Sequence, residues 1–145
     1  MEKNSILDRG KVRCPIAAAS GVLADQWSVI ILRDIVFFER RTFRTLLSHN
    51  NERISSSTLA KRLKRLVDVG VLSVNGDDFH SQRKIYSLTE AGIDLVPIII
   101  KMATWSSKHN LFDAHTIEFL KPLQDNHSYA LQHFMKKLSE NHQIT

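Results

Sequence analysis

Between Ser55 and Leu88 the apolar pattern of this chain changes period, and that change limits what it can fold into. Leu59, Leu63, Leu66 and Val67 recur at i, i+4, i+7 and i+8, so one face of a helix with Ser55 as its N-cap packs inward, and Gly70 supplies the C-terminal stop. Val71 to Val74 and Arg83 to Leu88 then read as strands, with Ile85, Tyr86 and Leu88 favouring extended backbone. The link Asn75-Gly76-Asp77-Asp78 has hairpin turn chemistry but runs longer than a tight turn, which predicts a protruding loop.

Upstream, three helical stretches precede this unit. Ile16 to Leu23 is an Ala-rich run behind Cys14-Pro15, where proline suits a first helical turn. Asp25 can cap a second helix through Trp27, Ile30, Ile31, Ile35 and Val36, which has too many apolar positions for a thin stripe and should be the central buried helix. Thr42 can cap a short third helix carrying Phe43, Leu46 and Leu47, ended at Asn50-Asn51. Downstream, Thr89 is expected to start a long helix through Ile93, Val96, Ile99, Ile100, Ala103 and Trp105, kinked by Pro97. That helix is apolar over much of its circumference, which in so small a chain points to a second subunit. Ile117-Phe119-Leu120 and Tyr129-Leu131-Phe134-Leu138, split by Pro122, predict one or two accessory helices. The expected fold class is therefore mainly α with a small β-hairpin, in winged helix-turn-helix order, with the fourth helix in the recognition position.

Charge bears on function through its position. The 145 residues carry 20 Lys+Arg and 15 Asp+Glu, a formal +5. Arg33 to Lys84 holds eleven basic and six acidic residues, which is already +5, so the remaining nine of each sign cancel. From Arg53 to Arg65 there are five basic residues and no acidic one. At 100° steps Lys61 lies opposite the leucine face, flanked by Ser57, Lys64 and Arg65, with Arg62 towards the side. A major-groove helix needs donors for base edges near its N-terminus and cations for phosphates along its flanks. Ser56, Ser57 and Lys61 suit the first task, Arg62, Lys64 and Arg65 the second, and Ser55 at the helix start joins them as a DNA-binding candidate. Arg40, Arg41 and Arg44 before the helix and Arg83 and Lys84 in the hairpin complete the footprint of one DNA-binding surface. A solvated basic face on an ordinary core helix is the plainer reading of the same residues.

The ordered set Cys14-Pro15, Trp27, Ile31-Leu32-Arg33, Phe43, Leu46, Ile54-Ser55, Leu59, Arg62-Leu63, Leu66, Gly70, Tyr86-Ser87-Leu88-Thr89-Glu90-Ala91-Gly92 and Trp105 resembles the HxlR-type family of bacterial winged-helix transcriptional regulators. The resemblance implies a homodimer joined by N- and C-terminal helices, with two recognition helices in successive major grooves of a pseudo-palindromic operator and wings reaching the adjacent minor grooves. The expected domain plan is a flexible arm over residues 1–13, an HxlR-type DNA-binding domain with dimerisation helices over 14–110, and a C-terminal helical extension over 111–145, longer than the family core requires. The chain departs from the family pattern in carrying Ser55-Ser56-Ser57 where relatives often have Ser-Pro-Lys or Ser-Pro-Arg. Lys61 and Arg65 stand where Gln and Glu are common, and the wing lacks the usual prolines before Arg83.

Cys14 is the single cysteine, so no disulfide can form within the chain, as suits a reducing cytosol. In the resembling family some members sense oxidants or electrophiles at this position. A helix N-terminus with Lys11 and Arg13 nearby favours thiolate, while a small inert packing residue is the plainer reading. A redox role would run through a mixed disulfide, an adduct with a small thiol-reactive effector, or a bridge between subunits. His109, His115, His127 and His133 lack cysteine companions and an i, i+4 pair, so no metal or cofactor is expected. No Ser/His/Asp order, phosphate-binding glycine loop or HExxH segment is present, which argues against an enzyme. Without a secretory signal or a membrane-length apolar run, the expectation is a cytoplasmic transcriptional regulator, a homodimeric repressor on double-stranded operator DNA. The alternative is a winged-helix module whose basic face holds an acidic protein partner.

Overall fold

Local capping chemistry sets most element boundaries in the computed structural model, which describes residues 13–80, 82–112, 114–124 and 129–142. Residues 1–12 of the expected N-terminal arm, including Lys11, lie outside these, as do His127 and the side chain of His115. The chain forms two compact units, Met1–Thr89 and Glu90–Thr145.

In the first unit, α1 (Pro15–Leu23) starts behind Cys14, with proline in the first turn where its missing N–H goes unneeded. Of its residues only Val22 is buried. The next helix, α2 (Gln26–Phe38), is capped by Asp25, whose Oδ2 accepts the Ser28 backbone N–H at 2.9 Å and its hydroxyl at 2.7 Å. Ile31, Leu32, Ile35 and Val36 are buried, making α2 the central helix, with Trp27 and Ile30 half-buried at its rim. Thr42 and Thr45 form a reciprocal capping box at the start of α3 (Phe43–Ser48). At α4 (Ser56–Asp68) the Ser55 hydroxyl accepts the Thr58 N–H at 3.2 Å. Leu59, Leu63 and Leu66 are fully buried, contributing roughly 1.5–3 kcal/mol each relative to exposure. Gly70, at φ 87°, turns the chain out of α4.

The hairpin pairs β1 (Leu72–Gly76) with β2 (Lys84–Leu88) antiparallel, Leu72 opposite Leu88 and Val74 opposite Tyr86. Both strands shift from their expected bounds. Asn75 and Gly76 extend β1 instead of turning, and the loop runs over residues 77–83. The pairing continues because Gly76 still finds a partner in Lys84. The free edge of β2 is met by the chain before α3: the Tyr86 N–H donates to the Arg41 carbonyl at 2.8 Å. The Arg41 guanidinium donates to the Tyr86 carbonyl at 3.0 Å and to the Ser87 hydroxyl. Arg41 therefore fastens the wing, and burial lowers the proton affinity of its guanidinium despite nearby Glu39.

The second unit corrects one expectation. Instead of one kinked helix there are two, α5 (Glu90–Ile93) and α6 (Val96–Lys108). In a continuous helix the Pro97 ring would strike the carbonyl of Ile93, so the helix ends there and Pro97 is absorbed into the first turn of the next. Thr89 stands immediately before α5, where the helix is expected to begin. Its hydroxyl donates to the Gly70 carbonyl at 2.6 Å, closing the end of the hairpin onto the α4 terminus. A 3-10 segment, Ala114–Leu123, contains Pro122, and α7 (Tyr129–Asn141) follows. Among the described residues of this unit, Ile93, Val96, Ile99, Ile100, Leu120, Leu131 and Leu138 are the buried apolar ones. Ile98, Met102 and Trp105 form an exposed apolar row on α6 at i, i+4 and i+7. No single helix among the described residues is long and apolar enough to cross a membrane.

Candidate nucleic-acid interface

The α4 face turned away from the leucines is Ser57, Ala60, Lys61 and Lys64, all exposed and spaced at i, i+3, i+4 and i+7, with exposed Ser56 at its N-terminal end. No hydrogen bond or ion pair within the described residues engages the Lys61 ammonium. Lys64 pairs with Asp68 across one turn at 2.9 Å. Ser55 spends its hydroxyl on Thr58 and lies 3.3 Å from the Ser57 hydroxyl. Ala60, not singled out by charge, keeps the middle of this face low. Its place in the 57, 60, 61, 64 spacing is the signal that could have found it.

Arg62 and Arg65 take a different place from the flank of free cations expected of them. Arg62 Nε sits 2.8 Å from Asp25 Oδ2, an ion pair whose N–H is not aligned as a hydrogen bond. Burial pushes the Asp25 carboxyl up, but hydrogen bonds from Ser28 and the Arg62 charge outweigh it and leave the group below its ordinary range. Arg65 Nη2 donates to the Gly21 carbonyl near the end of α1. Both arginines thus brace α4 against the α1–α2 corner. Of the five basic residues from Arg53 to Arg65, Lys61 and Arg53 have neither an ion pair nor a side-chain hydrogen bond among the described residues. Arg53 is exposed in the α3–α4 turn with a left-handed backbone, φ 60°, beside the Asn50 side chain that accepts the Ile54 N–H at 2.9 Å.

A second brace sets the angle of that turn. Arg33 donates to Asp34 Oδ1 from Nε and Nη2 at 2.9 and 2.8 Å, and to the two Glu52 oxygens at 2.5 and 2.9 Å. The bidentate hydrogen bonds from Arg33 hold Glu52 below its ordinary carboxylate value of 4.5, while Glu52 raises the proton affinity of Arg33. A carboxylate depressed in the folded state adds stability that is present above its unfolded value and is lost as pH falls through the folded one. Between about pH 6 and pH 3, wild type is expected to lose more stability than Glu52→Gln, measured as the shift in denaturant midpoint. Equal shifts would show that the pair contributes nothing.

Arg44 is exposed on α3, and Arg83 and Lys84 are exposed at the base of the wing. Together with Thr42, Thr45, Gln82 and Tyr86 they line an open groove of 740 Å³ between α3 and the hairpin. Burial raises the Tyr86 phenol above its ordinary value, so the groove wall is neutral there. Arg83 Nε is 3.5 Å from Asp77 Oδ2. Arg40 is drawn inward, donating to the His49 carbonyl at 3.1 Å and lying over the Phe38 ring. Sequence reasoning missed Gln82, His80 and Phe79 on this side. Phe79 is 91% exposed at the wing tip, and a lone aromatic among turn residues was the available signal.

Cys14 is exposed at the N-cap position of α1 and its side chain makes no capping bond. His109 ends α6 with its ring 5.1 Å from that of Trp105, and His133 stacks on Tyr129 at 5.7 Å. No three His, Cys, Asp or Glu side chains among the described residues are grouped to hold a metal.

The profile of the HxlR-like helix-turn-helix family matches residues 22–113. An HTH-type transcriptional regulator of Mycobacterium bovis is 33% identical over 94 residues, 65% of this chain and 58% of the relative. One from Synechocystis is 32% identical over 89 residues, 61% of this chain and 64% of the relative. The chain therefore spans less than two thirds of the length of these relatives. Among solved structures, PA1607, a candidate transcription factor, superposes with a TM-score of 0.62 at 28% identity, over 72% of this chain and 70% of that one. The reduced form of the transcriptional regulator YodB from B. subtilis gives 0.55 at 25% identity, over 67% of this chain and 94% of that one. With the three-helix core, the hairpin wing and the family profile coinciding over more than half of its length, the chain belongs to the HxlR-like helix-turn-helix family.

Proposed function

We propose that the protein is a cytoplasmic transcriptional regulator, a homodimeric repressor that binds a double-stranded DNA operator through α4 and the wing. The observation that carries this reading is the exposed Ser57/Ala60/Lys61 face of α4, with Arg53 and Arg44 beside it and Arg83 and Lys84 on the wing. Such a face offers donors and a small apolar spot to base edges, with cations at its margins for phosphates. The dimer is assigned to the apolar surfaces outside the helix-turn-helix: Ile16 on α1, 80% exposed, and the Ile98, Met102 and Trp105 row on α6. On this reading residues 14–110 form the DNA-binding and dimerising part, with 1–13 an arm and 111–145 an extension. An effector acts on the exposed thiol of Cys14, a reading supported by its open N-cap position and by likeness to a regulator described in a reduced form.

The cations assigned to this surface set the expected salt response. Arg44, Arg53, Lys61, Arg83 and Lys84 make five per chain and ten per dimer, so log affinity should fall with log salt at a slope of about −9. A duplex selected by the protein from a random pool should outbind unselected duplex by at least ~10³. Titration by fluorescence anisotropy, repeated after treatment with a thiol oxidant, reads both properties. A slope near zero or equal binding to all duplexes would instead favour an acidic protein partner for the basic face. An unchanged titration after complete Cys14 oxidation removes the thiol from the mechanism.

A further inference from the structure

We propose that Phe79 is a minor-groove wedge, an apolar side chain that the wing inserts at a base step beside the sequence read by α4. The inference rests on the duplex-binding reading above and names a contact within it. Phe79 is the most exposed large apolar side chain among the described residues, at 91%. Single exposed apolar residues are ordinary, so exposure alone decides nothing. The backbone beneath this one is built.

The Phe79 N–H donates to Asp77 Oδ1 at 2.9 Å, and the His80 N–H reaches the Asp77 carbonyl at 3.3 Å. The Arg83 N–H donates to the His80 carbonyl at 2.9 Å and the Asp77 N–H to the Arg83 carbonyl at 2.8 Å. These bonds close the loop on itself beneath the phenyl, which has no partner among the described residues. A wedge needs this preorganisation, because ordering a loose loop on binding would offset the gain from stacking.

Charge around the tip fits the same use. Asp77 is occupied by the Phe79 N–H and by Arg83 at 3.5 Å, so its charge is answered within the wing. Arg83 and Lys84, with Arg44 across the groove, can hold the phosphates of one strand on either side of the step that Phe79 opens. Architectural proteins that insert such side chains unstack one step and bend the duplex, so more protein surface reaches the DNA. Asp78, exposed beside Phe79, opposes phosphate.

The test uses the full-length protein and a duplex selected by it from a random pool, carrying a fluorescent adenine analogue at successive flanking positions and a donor–acceptor pair at its ends. Wild type should brighten the analogue at one step and shorten the end-to-end distance. Phe79→Ala should abolish both signals and weaken binding about tenfold, as loss of one base–aromatic contact does, with unchanged circular dichroism because Phe79 supports nothing. Phe79→Leu should keep the bend, since any apolar wedge serves, and Asp78→Asn should tighten binding. Wild type that retains no duplex overturns the DNA reading itself. Wild-type binding with Phe79→Ala identical in affinity, bend and unstacking overturns the wedge alone, as does a change of oligomeric state in Phe79→Ala with DNA binding intact.

Discussion

Lys61→Ala combined with Arg83→Ala is expected to weaken binding to a selected duplex by about 10²-fold or more, while leaving thermal stability within about 0.5 kcal/mol of wild type. Lys61 stands on the open face of α4 with no partner among the described residues, so removing it deletes a donor available to a base edge and frees none of them. A good base-edge contact discriminates by about 1–3 kcal/mol. Arg83 acts from the wing, on a separate segment of the same surface, and its loss should weaken all duplexes together and flatten the salt response. The single variants therefore separate the two roles: Lys61→Ala should relax sequence preference, and Arg83→Ala should not. Arg62→Ala is the instructive contrast. Its pairing with Asp25 predicts a loss of stability from that substitution, because Arg62 sits at the α4–α2 contact. Undiminished binding by the double variant would sink the interface assignment.

The second large effect is on the fold. Leu63 is 1% exposed in the middle of the α4 core face, and Leu63→Ala should cost about 2–5 kcal/mol through lost burial and the cavity left behind. Against a typical total of about 5–15 kcal/mol, that removes a large share of the first unit's stability. The thermal midpoint should fall by at least about 10 °C. Val67→Ala, at a half-buried position on the same helix, should cost markedly less. Whatever fraction of Leu63→Ala remains folded at low temperature should bind duplex with wild-type affinity, since Leu63 touches no part of the open face. A folded but non-binding Leu63→Ala would mean that α4 is positioned by its core packing more finely than by its polar braces.

Much of this architecture is legible in residues because its signals act over short distances. Asp25, Thr42 and Ser55 each cap a helix by accepting an N–H three residues along, and Gly70 ends α4 through its own backbone angle. Such chemistry can be read one turn at a time. The strand bounds were less legible, since Asn75 and Gly76 can turn or extend and a cross-strand partner decides between them. Pro97 advertised an interruption, but a kink and a full break differ only in how the residues around it pack. At the candidate interface, the exposed face of Ser57 and Lys61 is legible from helical spacing, whereas the bracing contacts of Arg62 and Arg65 are not. Their partners, Asp25 and Gly21, are remote in sequence, and charge type alone says nothing about which cation faces solvent.

Order, caps, core faces and the concentration of the whole +5 between Arg33 and Lys84 belong to the amino-acid sequence, because periodicity and formal charge are properties of the chain itself. The division of that charge belongs to the tertiary structure. Folding turns Arg40, Arg41, Arg62 and Arg65 inward as braces and leaves Lys61, Arg53, Arg44 and Lys84 without ionic partners among the described residues, because a cation within reach of a remote carboxylate or carbonyl is held there while one on the open face meets only water.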